Sequence, residues 1–114
     1  ELLQAVNVGH DGSLSTIHAN SCRDMAVRLE TMALMGAVLP GAVVRRQIVS
    51  GFDIFIHLGR QKDKSRKLLE IAEIDGIEGD EIRMHPLYLR KKHLERTGNL
   101  IHIEKLERAG IECE

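Results

Sequence analysis

The feature that most constrains this chain is a change of period at Phe52. Upstream of it apolar residues recur at helical offsets. From Phe52 to Leu58 they alternate instead, with Phe52, Ile54, Ile56 and Leu58 on one side and Asp53, Phe55 and His57 on the other. A period of two places successive side chains on opposite faces of an extended strand, so this stretch predicts a half-buried strand with the Ile54 face inward. Gly59 to Arg66 reads as a polar loop and Lys67 to Asp75 as a second strand, which makes a hairpin the economical connection. Gly79-Asp80, set between alternating residues, suggests another tight turn into Ile82–Met84.

The first half has helical character. Asn20 or Ser21 is a plausible N-cap, and Asp24 in the first turn complements the helix dipole. Met25, Leu29, Met32 and Gly36 fall on one face of that helix. Pro40-Gly41 breaks it, and Ala42 to Ser50 forms another with Val44 and Ile48 inward. Ahead of both, Gly9-His10-Asp11-Gly12-Ser13 is a turn and Leu14 to His18 a short strand. Glu1 to Val8 reads as the last turns of a helix whose start is missing, since nothing in front of Leu2-Leu3 caps it. The charged tail from Leu89 carries helical offsets at Ile103, Leu106 and Ile111. The layout is an α/β first half leading into antiparallel hairpins.

Composition removes several classes. With 16 Lys+Arg against 17 Asp+Glu there is no basic footprint for nonspecific nucleic-acid binding, and the short Arg90-Lys91-Lys92-His93 cluster is followed by acids. No apolar run approaches the ~20 residues that cross a bilayer. Cys22 and Cys113 are too few and too far apart for a disulfide framework, so a soluble protein of a reducing compartment is the default expectation. His10, His18 and Cys22 lie near one another in sequence, but His18 and Cys22 fall on different elements and no C-x-x-C exists. No metal site is expected, and a Cys22 nucleophile would lack an orienting third group.

The run Gly9-His10-Asp11-Gly12-Ser13-Leu14-Ser15-Thr16-Ile17-His18-Ala19-Asn20-Ser21 resembles the histidine box of the type II/type IV secretion and pilus-assembly ATPases, most nearly the Flp/Tad pilus (CpaF-like) branch. The likeness continues through Arg28-Leu29-Glu30-Thr31-Met32, the helix after Pro40, the Phe52–Leu58 strand and the hairpin Arg66 to Ile77, including Glu73-Ile74. It implies that residues 1–87 are the C-terminal segment of a RecA-like P-loop NTPase domain; residues 88–114, which the likeness covers weakly, read from their own offsets as a charged helical extension. It further implies a hexameric ring that uses ATP and Mg²⁺, peripheral at the cytoplasmic face of the inner or plasma membrane. Its partners would be its own N-terminal region, neighbouring subunits and an inner-membrane platform protein, with no nucleic acid among them. No G-x-x-x-x-G-K-[ST] occurs in the chain, so nothing here cradles the phosphates. By itself the chain is expected neither to hydrolyse ATP nor to hold it tightly.

Ligands of open α/β sheets sit beyond the carboxyl ends of the strands, where a hydroxyl and an imidazole can orient water or sense a phosphate. By the family pattern His18 and Thr16 are the catalytic candidates, with Gly9, His10, Ser15 and Arg28 near the nucleotide or an interface. On the residues alone His18 reads rather as a hydrogen-bonded core histidine holding strand to helix, His10 as a solvated turn residue, and Arg28 at least as readily as the i+4 ion-pair partner of Asp24. Arg45, Arg46 and Arg60 read as solvated charges rather than subunit contacts. Two rival functions remain: a nonenzymatic interaction module built on this fold, and a motor of the same chemistry acting on DNA.

Overall fold

A computed structural model describes residues 16–36 and 40–111 of the chain. Helices α1 (Cys22–Gly36) and α2 (Gly41–Gly51) come first. Strands β1 (Ile54–Arg60), β2 (Arg66–Glu78), β3 (Glu81–Arg90) and β4 (Leu94–Arg96) follow, and a short helix α3 (Glu104–Arg108) closes the described chain. The strands form one antiparallel sheet in the order β1-β2-β3-β4, a meander in which every strand pairs with its neighbour in sequence. Among the described residues the architecture is two helices packed on an antiparallel sheet, a mixed α and β arrangement.

The core lies between the helices and one sheet face. Cys22, Met25 and Ala26 of α1 and Val44 and Ile48 of α2 meet Phe55, Ala72, Ile74 and Ile82. Val44 and Ile48 are inward as their spacing requires, at 1% and 0% exposure. Phe52, at the end of α2, meets Phe55 edge-on with ring centroids 5.9 Å apart, a favoured aromatic geometry. The β2–β3 turn falls at Gly79-Asp80, where Gly79 adopts φ 61°, the positive angle that a type II′ hairpin wants at its first turn residue.

Four expectations need correction. The inward face of β1 carries Phe55, whereas Ile54, Ile56 and Leu58 are exposed at 36%, 53% and 65%. Both faces of this strand carry apolar side chains, so alternation alone could not choose between them, and the helices cover the aromatic side. In α1 the buried stripe is Cys22, Met25, Ala26 and Leu29; Met32 and Gly36 point outward. Among the described residues the tail after position 87 is mostly strand and loop: β3 continues to Arg90 and pairs with β4 through Tyr88↔Arg96 and Leu89↔Glu95, and the helical part is Glu104–Arg108. Finally, Thr16 to Ala19 form no strand.

Candidate functional site

Two places on the molecule gather chemistry. The first is the segment that enters α1. Ile17 and Ala19 are half-buried and pack against the core, while Thr16 and His18 are exposed. The in-and-out alternation of a strand is kept there without a strand partner among the described residues. Both catalytic candidates therefore present their side chains to solvent on a backbone anchored from beneath.

The anchor is the N-terminus of α1. The first amides of a helix have no partner within it and must be satisfied from outside. Asp24 N–H donates to Ser21 Oγ at 3.0 Å, which makes Ser21 the N-cap. Asp24 in turn accepts the Asn20 N–H through Oδ2 at 2.9 Å, much as the third residue of a capping box reaches back. Cys22 N–H donates to Glu70 Oε1 of β2, 48 residues downstream, at 2.8 Å. The Asn20 amide, and after it the Arg28 guanidinium, hold the Asp24 carboxyl below the usual range for aspartate. Arg28 Nε lies 2.9 Å from Asp24 Oδ2, the i+4 ion pair that its spacing allowed. Gly9, His10 and Ser15 lie outside the described residues.

Cys22 is no nucleophile in this setting. It is 1% exposed, its thiol faces the carbonyl oxygens of Phe55 at 3.5 Å and Glu70 at 3.9 Å, and burial together with the adjacent Glu70 pushes its pKa up to about 12. A thiol that stays protonated is inert as an attacking group and poor as a metal ligand. No group of three His, Cys, Asp or Glu among the described residues is placed to hold a metal ion.

The second place is on the opposite face of the sheet, and sequence reasoning missed it. The segment 97–108 crosses this face as a strap. Glu73 of β2, 3% exposed, accepts the Ile101 N–H through Oε1 at 2.7 Å and the His102 N–H through Oε2 at 2.9 Å. Further ties are Lys105 Nζ to Asp53 at 3.0 Å, His102 Nε2 to Asp75 at 3.5 Å, and the Thr97 N–H to the Leu87 carbonyl at 2.7 Å. Gly98 sits so close that a Cβ there would meet the Pro86 carbonyl at 2.6 Å and His85 Nε2 at 2.8 Å. Beneath the strap is a cleft of about 350 Å³ walled by Val49, Phe52, Ile54, Leu100 and Leu106. The only signal for this in the sequence was a single charge between Ala72 and Ile74 in a buried strand.

Arg45 is less solvated than its sequence context suggested. Its guanidinium lies 3.9 Å from Glu30 of α1 and 3.7 Å from Asp80 of the β2–β3 turn, with its side chain 19% exposed. No helix among the described residues is long and apolar enough to cross a membrane.

The fold and the polar segment leading into α1 thus define a helix-on-sheet unit that displays a hydroxyl and an imidazole from a braced backbone. The model of the family described as "Type II/IV secretion system protein" matches residues 1–84, and the chain belongs to that ATPase-associated family. Two curated proteins of Mycobacterium tuberculosis, one from strain CDC 1551 and one from strain H37Rv, are each 33% identical to it over 79 residues and carry the name "Putative conjugal transfer protein". The aligned region is 69% of this chain and 22% of either relative, so the chain spans about a fifth of their length.

Proposed function

We propose that this chain is the C-terminal part of a secretion-system motor ATPase in which His18 and Thr16 face the phosphates of ATP bound largely by residues outside this sequence. The observation that carries the reading is the display of Thr16 and His18 outward while Ile17 and Ala19 pack inward, directly ahead of a capped helix, within the family-matched region. Phosphoryl transfer depends on positioning and charge stabilisation more than on covalent chemistry by the protein. An exposed imidazole on a fixed backbone suits the sensing of a γ-phosphate or the orientation of the attacking water. The phosphate-cradling loop and the Mg²⁺-holding acid would come from the RecA-like core of the whole protein, which acts as a hexamer. The described helices and sheet would pack against neighbouring subunits, at the cytoplasmic face of a membrane beside a platform protein.

The family admits more than one cargo. Pilus assembly of the Flp/Tad kind is one reading; the name shared by the two mycobacterial relatives favours conjugal transfer of DNA as the other. The catalytic proposal is common to both. In the full-length protein His18→Ala should lower kcat for Mg·ATP hydrolysis by about 100-fold or more, the range typical of positioned proton-transfer and charge-stabilising groups, with nucleotide affinity nearly unchanged. Wild-type turnover in that variant would leave His18 a structural residue and remove the basis of the proposal.

A further inference from the structure

We infer that Glu70 is a positioning residue for the histidine segment, acting from the sheet through the first amide of α1. The inference rests on the reading of His18 just given, and goes beyond it by naming what sets the position of that side chain.

The argument begins with a fault in the β1–β2 ladder. His57 pairs with Glu70 and Leu58 with Leu68, so Leu69 is an extra residue on β2 with no partner of its own. Such bulges bend a strand and re-aim the neighbouring side chain. Gly59 makes room for it: a Cβ at Gly59 would collide with the Leu69 side chain. Next to the bulge, Glu70 lies on the helix side of the sheet with Ala72 and Ile74, and its Oε1 takes the Cys22 N–H at 2.8 Å. The Cys22 thiol also donates to the Phe55 and Glu70 carbonyls, so backbone and side chain are both fastened to the same pair of strands. His18 is four residues upstream of this fastening, and the span between them is held by the Asn20–Asp24 and Ser21–Asp24 contacts.

No other described side chain carries the ladder's position to the Cys22 amide. Ser21 and Asp24 cap the helix from within their own segment, and they would keep doing so if the whole segment shifted relative to the sheet. Of the three side-chain acceptors Glu70 is the one on the sheet; the other polar ties of this helix end to the strands are the Cys22 thiol contacts and the exposed Arg23–Glu81 pair at 3.3 Å, and neither engages the first amide. Loss of Glu70 should let the segment move while leaving the helix capped, and a displacement of about 1 Å at a reacting group can cost on the order of 100-fold in rate.

The test is steady-state Mg·ATP hydrolysis by the full-length protein carrying Glu70→Ala, Glu70→Gln or Glu70→Asp, with His18→Ala measured alongside. Glu70→Ala should lower kcat by at least about 10-fold with KM for ATP little changed, within the range that misplacement produces. Glu70→Gln, which keeps an oxygen at the same reach, should recover most of the turnover. Glu70→Asp keeps the charge but falls one methylene short, so it should resemble the alanine variant and supplies the comparison if that one does not fold. Amide exchange at Cys22 should quicken in the Ala and Asp variants and not in Gln. Full turnover in Glu70→Ala, or equal loss in Ala and Gln, beside a crippled His18→Ala, overturns this inference and leaves the catalytic reading standing. Full turnover in His18→Ala overturns the catalytic reading and this inference with it.

Discussion

Replacing Glu73 by Gln tests the strap directly. The substitution preserves volume and one carbonyl oxygen, but puts an NH₂ where the second oxygen accepted a backbone amide. Of the two N–H donors held at 2.7 and 2.9 Å, one then faces another donor. A hydrogen bond to a charged group contributes about 1.5–3 kcal/mol net, and an orphaned N–H at this part-buried position adds a smaller penalty. Removing the negative charge relieves part of its own burial cost, which brings the expected loss to about 2–3 kcal/mol. That loss should appear first in the strap, because a segment held by a few contacts opens locally before the domain unfolds. At 1.36 kcal/mol per decade, native-state hydrogen exchange at Ile101 and His102 should accelerate by roughly 30- to 150-fold. Exchange at Ile74, in the core, should change far less. Unchanged protection at Ile101 and His102 would refute the claim that the carboxylate holds the strap. A rise in Tm would do so as well, by showing that burying the charge costs more than the two bonds return.

Two further outcomes follow from the same geometry. Ile48→Ala should destabilise by about 2–5 kcal/mol in denaturant unfolding, whereas Ile56→Ala, on the uncovered face of β1, should stay within about 0.5 kcal/mol; comparable losses would mean that the buried face of β1 is misassigned. The raised pKa of Cys22 means that the folded state keeps a proton the unfolded chain has already lost. Stability should therefore be at its full value below the ordinary thiol value of 9.0 and fall as pH rises from there toward about 12, and peptide mapping should find Cys22 unalkylated in native protein at neutral pH. Rapid native-state labelling of Cys22 would contradict its burial.

The hairpins were legible because their signals are local. Alternation in β1 and β2 and the Gly79-Asp80 turn lie within a few residues of one another, as do the Ser21 cap and the Val44/Ile48 stripe. What failed depended on distant partners. Which face of β1 is buried was decided by where α1 and α2 pack, and alternation is silent on that when Phe55 and Ile56 are equally apolar. The tail from Leu89 was read as helical from offsets at Ile103, Leu106 and Ile111, which lie beyond residues 88–96; there the edge of β3 offers unpaired backbone groups, and pairing with β4 settles the chain as strand. Of the site, the Thr16–His18 pattern was visible as alternation, although its expected strand has no partner among the described residues. Gly9, His10 and Ser15 cannot be compared. Glu70 and Glu73 were invisible as functional positions because each bonds to a backbone amide, at Cys22, Ile101 or His102, and backbone donors leave no trace in the residue pattern.

Those two carboxylates give β2 a way of checking its own alignment. They are three residues apart on β2, an odd interval in which the extra residue of the β2–β3 ladder, Leu87, belongs to β3, so they emerge on opposite faces: Glu70 reaches back to the chain that precedes the sheet and Glu73 forward to the chain that follows it. A slip of one residue would exchange their sides. Glu73 would then enter the apolar layer of Phe55, Ile48 and Val44 with no amide to meet it, and Glu70 would leave the helix end bare. The penalty for misregister would thus fall on both faces at once. Two widely separated parts of the chain read the same strand position, and one register of β2 satisfies both fastenings.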